Sequence, residues 1–552
     1  MNRLLTILIM IASVGPIMKA QGFSDMDAIM AFLGSDDLME LDPDDVEKLE
    51  HFLVEPIRLN TASESQLRSC GLFSSYQTAV ISDYISCHGP VRSMVEFSLL
   101  DGFGEDFVRK VAPFVDLESE KAVTAAPGNA VKHDITAKGS LICREDEGYD
   151  GTYGLKFRVD SDGKFTAAIA ASRTSGARSW APSAYSGSFA WKFRRIPLRI
   201  TVGDFYARFG QGLVLWSSSL ISGLTSPDSF MKKPSGITQP WSFTGGNAMT
   251  GLAADYEWRQ LKVSVIADVP DMKTAFNIAW YGRNGQVSFT NLVDAPKSGQ
   301  EDAMAVVTGL DAAFCVHGVN IFGEIAYDWM NHVPDILAGT RFKVGDPTDI
   351  AVQVRAFMNE QYGIAFSGVH TLRKNTLLWV TDAISNASGL QVKGLIAYEH
   401  SFSEYWKVKL RLSERFRTWG QPLRTDARAD LAYAGSVWNA SIRLNVLNCD
   451  KTAFLSYVEG GCKGDMLTAY LRQGIFFIDD WDDRIYVYER DAPSSFNVPA
   501  MYGRGVWTSL TASWKATSLL KVYVRGSVTG YPFMEKKKPG KAELKLQLQY
   551  RF

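Results

Sequence analysis

The side chains best suited to chemistry in this sequence fall in two short polar stretches. In Gly203-Asp204-Phe205-Tyr206-Ala207-Arg208-Phe209-Gly210-Gln211-Gly212, a carboxylate, a guanidinium and an amide (Asp204, Arg208, Gln211) recur between glycines. On a pore wall such groups would form a constriction and set its ion preference. The glycines equally suit a strand that bends or carries a bulge, and that structural role is the first expectation here. Further on, Arg484, Glu489, Arg490 and Asp491 mix both signs. They read either as a salt-bridged cluster lining a lumen or as a charged strand face in water. Catalytic signatures are absent: the sequence has no HExxH, GxSxG, phosphate-binding Walker loop or GxGxxG. The seven histidines are dispersed, and the six cysteines show no CxxC or zinc-like spacing. No metal, cofactor or enzymatic activity is therefore expected. Cys449 and Cys462 lie near enough in sequence to staple one loop if the chain is exported; otherwise they are small apolar side chains.

The elements that would carry these residues are strands. In Ala542-Glu-Leu-Lys-Leu-Gln-Leu-Gln-Tyr-Arg-Phe552 every second residue is apolar and the others are polar, so one strand face is greasy and the other wet. Trp406, Val408, Leu410 and Leu412 alternate with Lys407, Lys409 and Arg411 in the same way. Runs of this kind, separated by Gly/Asp/Asn/Ser-rich joints, recur from about residue 134 onward. They predict a mainly β fold, a large antiparallel transmembrane β-barrel of roughly 18–24 strands over residues 133–552, with no globular insertion. A net charge of −2 and a mean hydropathy of −0.07 suit a barrel whose two faces average out, and exclude a global basic field for nucleic acid. At the other end, Arg3, the apolar run Leu4 to Val14, the Gly15-Pro16 break and the small Ala20 read as a signal peptide over 1–20. The run is too short to span a bilayer as a helix. The last strand, ending on the aromatic Phe552, resembles the terminal strand of bacterial outer-membrane barrels, which implies recognition of Phe552 by the barrel-assembly machinery.

Before the barrel the period is helical. Residues 21–56 form an acidic leader; its first thirty residues hold ten acids and one lysine. A linker with Ala-Ala-Pro-Gly follows at 117–132. Between them, residues 57–116 carry Leu59-Asn60-Thr61-Ala62-Ser63 with Leu67, then Ala79, Ile81, Tyr84 and Gly89. Ser93, Phe97, Leu100, Gly102-Phe103-Gly104, Val111, Pro113 and Phe114 complete the pattern. This stretch resembles the paired helix-hairpin-helix unit of the competence protein ComEA and its relatives. The resemblance implies a small all-α domain. In that family a Gly-hydrophobic-Gly turn brings backbone N–H groups to a DNA phosphate, which here points to Gly102, Gly104, Arg109 and Lys110. The first hairpin departs from the pattern, with Phe73-Ser74-Ser75 in place of the turn, and residues 51–117 carry five basic and eight acidic residues. Phosphate binding normally draws on Lys and Arg.

Helical module and barrel together resemble a group of Bacteroidetes outer-membrane proteins with a helix-hairpin-helix head; Gly203 to Trp216 and Arg484 to Asp491 look like motifs of that group. The expectation is an outer-membrane channel or envelope-complex component with its head in the periplasm. Its partners would be outer-membrane lipid, the assembly machinery, and at the head either DNA or a periplasmic protein. The lumen candidates are Asp204, Arg208, Gln211, Arg484 and Glu489.

Overall fold

From Val131 to Arg551 the two-residue period produces 24 strands that pair in antiparallel neighbours and close on themselves. The computed structural model describes residues 25–34, 41–118, 131–146, 148–161, 164–217, 223–240, 242–243, 246–296, 304–357, 361–420, 423–495, 497–535 and 538–552. The signal-peptide stretch and most of the linker lie outside the described residues. Closure joins the last strand, Lys541–Arg551, to the first, Val131–Arg144, with Arg551 opposite Asp134 and Lys541 opposite Arg144. Phe552 extends this seam. Its N–H donates to the His133 carbonyl (3.0 Å), its own carbonyl accepts from His133 (2.8 Å), and the two rings stack at 4.8 Å.

Alternation decides which side of the wall each residue meets. On the last strand Leu544, Leu546 and Leu548 are 56%, 47% and 40% exposed on the outside, whereas Gln547 between them is 2% exposed toward the lumen. One end of the barrel carries tight turns, including Arg259-Gln260, Arg283-Asn284, His317-Gly318 and Arg373-Lys374. Arg259, His317 and Arg373 adopt φ of 53°, 50° and 54° there, the left-handed backbone that two-residue hairpins require. Exposed tryptophans gather toward this end: Trp191, Trp258, Trp280, Trp406, Trp438 and Trp514. The opposite end carries the longer connections. Among the described residues no helix is long and apolar enough to cross a membrane.

The N-terminal region is a helical head: α1 (Asp25–Leu33), α2 (Pro43–Val54), α3 (Glu64–Ser69), α4 (Ser75–His88), α5 (Met94–Ser98) and α6 (Glu105–Val111). Its helices start where the sequence offers caps. Asp42 accepts from the Asp44 N–H (3.0 Å), and Ser63 with Gln66 and Ser74 with Gln77 form reciprocal capping boxes. Asn60 ties the ends together, donating to the carbonyls of Val91 (2.9 Å) and Leu117 (2.7 Å) and accepting from the Val91 N–H (2.8 Å). Ile29 of α1 and Val46 of α2 lie in one buried cluster with Leu59, Leu67, Ile81, Phe97 and Phe114. Leader and module thus share a single core.

Two connections depart from the hairpin pattern. The connections 209–248 and 479–502 join strands that are adjacent in the wall, yet their described residues pack inside the barrel. These segments pack on inward-facing side chains as the head does.

Candidate functional site

Head and inward segments meet in the lumen, and ion pairs hold the meeting together. The strand Leu198–Arg208 begins in the wall, and Gly203, at φ 92°, turns its second half inward. Beyond Phe205 it no longer pairs with the wall strand Met249–Trp258 but with the short inner strand Gly236–Thr238. Arg208 thereby arrives in the interior, with its side chain 6% exposed, where its guanidinium pairs with Asp45 and, at 3.5 Å, with Asp42 of the head. Gln211 follows, its side-chain amide exchanging hydrogen bonds with the backbone of Lys232 (3.5 and 3.0 Å). The backbone N–H groups of Gln211 (2.6 Å), Leu213 (3.1 Å) and Val214 (3.3 Å) all donate to the Glu324 carboxylate on the wall. Gly210 lets the chain come this close, since a Cβ there would stand 2.8 Å from Glu324. Asp204 has a different role. It accepts from Ser186 (2.7 Å), the Gly187 N–H (2.9 Å) and Thr250 (2.7 Å), pinning the bend within the wall.

Around this anchor the head meets the polar faces of several strands. Glu47 pairs with Lys156 (3.5 Å), Glu55 with Lys132, Ser65 donates to Glu257 (2.6 Å), Ser75 to Gln286, and Arg68 lies 4.2 Å over the Tyr281 ring. Lys110 pairs with Asp228 of the inward segment (2.9 Å), which Arg341 of the wall also holds (2.7 Å). Lys233 donates to the Leu72 carbonyl (2.9 Å). A cavity of about 170 Å³ remains between head and segment, bordered by Asp42, Asp45, Lys48, Arg208, Lys232 and Lys233.

Burial dominates the titration of these groups. It raises Asp44 to about 6 against a hydrogen bond from Tyr206 that lowers it. It lowers Lys48 to about 8, helped by Arg208, and Lys233 to about 8 in spite of Asp228. Burial would raise Asp228 too, but Arg341, Lys110 and Lys233 outweigh it and hold the carboxyl well below the usual range.

The second segment is fastened from the other side. Ile485, Val487 and Met501 pack on Leu455, Phe476 and Trp507. The fully buried Asp483 accepts the N–H groups of Cys449 (2.9 Å), Asp450 (3.1 Å) and Lys451 (2.7 Å). Glu489 pairs with Arg525, and Asp491 with Arg525 (3.5 Å) and Lys545 (2.6 Å), while Arg490 and Arg472 share Glu459 at 2.8 and 2.7 Å. Glu489, Arg490 and Asp491 are thus brought together in a lumen cluster, on an inward segment and not on a strand face. Arg484 is not part of it; it donates to the Tyr486 hydroxyl (2.8 Å) and the Trp481 carbonyl (2.9 Å). The segment's tip reaches the head, the Ser494 N–H donating to Glu50 (2.8 Å) and Tyr488 and Val498 touching the head core.

In the head, Gly102 and Gly104 adopt φ of 79° and 90°. A Cβ on Gly102 would meet the Tyr76 ring at 2.7 Å, and one on Gly104 the Lys343 ammonium of the wall at 2.8 Å. Arg109, its side chain 70% exposed, pairs with Asp106 at 2.7 Å. All six cysteines are free; Cys449 lies in the turn before the strand Thr452–Lys463 and Cys462 near that strand's far end, so the staple is corrected. Glu324, Asp228, Asp483 and Arg525 were not singled out in sequence. The signal that could have found their neighbourhoods is spacing: the proline-bearing stretches 209–248 and 479–502 are far longer than the other joints.

No protein-family model and no curated protein matches the sequence. Among solved structures the chain is similar to the translocation pore of the P pilus usher PapC, with TM-score 0.40 and 7% identity over 76% of this chain and 99% of that one. It is also similar to the siderophore receptor PirA from Acinetobacter baumannii, with TM-score 0.41 and 10% identity over 77% and 81% of the two chains. A third similarity is to OccK11 (OpdR) from Pseudomonas aeruginosa, with TM-score 0.28 and 9% identity over 76% and 96%. The fold assignment rests on the closed ladder itself.

Proposed function

We propose that this chain is an outer-membrane channel whose lumen is occupied from one end by its own helical head and from the other by two inward segments, and that passage requires the head to shift. The observation that carries this reading is the seating of the head on lumen-facing charges, Arg208 with Asp42 and Asp45 above all. A closed barrel with an apolar outer face and a polar inner one is the form in which strands satisfy their backbone in lipid. Barrels of this kind keep short turns on the periplasmic side; the head enters by the turn end, which supports a periplasmic location for it. The paired short helices α3–α4 and α5–α6, joined through Leu72-Phe73 and Gly102-Phe103-Gly104, support the helix-hairpin-helix reading and with it the Bacteroidetes resemblance. The leader's acids fit a basic partner, and the barrel wall supplies one in Lys132, Lys156 and Arg208.

Single-channel recording of the full chain in planar bilayers tests the proposal. Wild type is expected to show rare or small openings, and Arg208→Ala with Lys110→Ala frequent large ones. A variant as silent as wild type, correctly folded by heat-modifiable gel mobility, would overturn it.

A second reading, DNA binding by the head, is favoured by the positive φ of Gly102 and Gly104 and the exposure of Arg109. Fluorescence anisotropy of the full chain with labelled single- and double-stranded DNA tests it. Binding that weakens with salt and falls on changing Gly102 and Gly104 is expected; no binding at low salt removes it.

A further inference from the structure

At one place in the lumen two arginines stand opposed with no carboxylate paired to either among the described residues. The strand Trp406–Arg417 turns Lys407, Lys409, Arg411, Arg415 and Arg417 to the inside, while Leu410, Leu412 and Phe416 are exposed outside. Near the end that carries the longer connections, Arg415 stands directly opposite Arg424 of the strand Leu423–Ala434 on one side. On the other side it stands opposite Lys393 of the strand Gly389–Ser401. Three cations therefore form one row across three strands. Directly opposed side chains in an antiparallel pair have Cβ atoms about 5 Å apart, and like charges so placed are destabilising.

Elsewhere in this interior such repulsion is relieved. Arg428 donates to Asp430 (2.7 Å), as does Arg443 (2.5 Å), and Arg472 and Arg490 hold Glu459. In the row it is not relieved by a carboxylate on either arginine. Among the described residues Arg415 makes no hydrogen bond or carboxylate ion pair. Arg424 is aimed by two backbone carbonyls, those of Asp482 (3.2 Å) and Arg484 (3.4 Å), which orient its guanidinium without neutralising it. The adjacent Arg417 donates to the Gln391 amide oxygen (2.6 Å) and lies 5.8 Å over the Trp419 ring. The nearest lumen carboxylate along the strand, Asp426, is held by the Asn445 amide (2.8 Å) once that amide is oriented to donate. All three arginines are half-buried, so they are reachable by a solute while their field is only partly screened.

We propose that Arg415 and Arg424, with Arg417 and Lys393 beside them, form a binding site for a multiply charged oxyanion, a carboxylate or phosphate solute, at the loop-end mouth of the lumen. Guanidinium forks match the planar or tetrahedral oxygen sets of such ions by paired hydrogen bonds. Two forks facing across one strand pair offer a dianion or trianion contacts that a single chloride cannot make. The site faces the lumen and not the lipid, so its ligand is a dissolved anion. If the channel reading above holds, the site gives that channel its substrate class.

The test is calorimetric titration of the folded full chain in detergent with citrate and, separately, with inorganic pyrophosphate, at low and physiological salt. Saturable binding of at least one probe, weakened at least tenfold in R415Q/R424Q and by added salt, is expected. R415Q alone should also be no less stable than wild type toward denaturant, because it removes a repulsion and no hydrogen bond to a described residue. No saturable binding of either probe, or equal binding by the double variant, would overturn the proposal. Conductance measured on the same preparation separates the two readings. Binding without conductance removes the channel and leaves the site; conductance without binding removes the site and leaves the channel.

Discussion

Two sectors of one lumen have opposite electrostatic habits. Where the head and the segment 209–248 pack on the wall, guanidinium groups meet carboxylates: Arg208 faces Asp42 and Asp45, and Asp228 lies between Lys110 and Arg341. At the mouth formed by Trp406–Arg417 and Leu423–Ala434, arginine faces arginine. A buried unpaired charge costs several kcal/mol, so a packed interface carries pairs. A wall left in contact with water is free to keep an excess, and an excess kept against repulsion points to a ligand.

The largest effect that would break this comparison is expected at Arg525. Its side chain is 3% exposed and serves Glu489, Asp491 and Glu543 together. Arg525→Ala leaves three carboxylates without their shared cation and should cost about 3–5 kcal/mol, read as a lowered denaturant midpoint and as new protease cleavage within 479–502. Unchanged resistance would mean that the apolar contacts of Ile485 and Val487 suffice to hold that segment. Next comes Arg208→Ala, which strands Asp42 and Asp45 and should loosen the head by about 2–4 kcal/mol, seen as a broadened distance between spin labels placed on the head and on the wall. A narrow, unshifted distribution would mean that the pair follows docking and does not hold it.

A smaller effect is expected from pH. With its pKa raised to about 6 in the docked head, Asp44 holds a proton more tightly there than when the head is released. Docking therefore gains as pH falls through about 6 and loses that contribution above it, the direction proper to a raised pKa. Spin-label distances at pH 5 and 7.5 should show the tighter head at pH 5, and Asp44→Asn should abolish the difference; a difference that survives in the variant would assign it to another group. Smallest of all, Arg109→Ala should change docking by about 0.5 kcal/mol or less, since its pair with Asp106 is exposed. Lys110→Ala, which breaks the pair to Asp228, should change it measurably more. Equal effects would show that the inward segment, and not the ion pair, carries that contact.

The barrel was legible because its information is local. Leu544, Leu546 and Leu548 alternate with Lys545 and Gln547 in any window that contains them, and the observed 24 strands lie at the upper edge of the expected range. The polar stretches were legible as special but not as what they are. Gly203 to Trp216 and Arg484 to Asp491 stood out, and they are where the chain leaves the wall. Of their candidate residues, Arg208, Gln211 and Glu489 enter the filled lumen, Asp204 secures the bend, and Arg484 stays near the rim among Trp481 and Tyr486.

Composition and period alone determined the two kinds of structure in this protein: a helical head with its own caps and apolar stripe, and a strand-built wall with one greasy and one wet face. Both follow from neighbours a few residues apart, where backbone geometry fixes which side chains share a face. Only the tertiary structure decided that the head sits inside the wall, that its acids answer the wall's bases, and that Arg415 and Arg424 stand opposed. Arg208 and Asp42 are separated by 166 positions, and no local pattern records which of many possible partners a charge will meet once the barrel has closed.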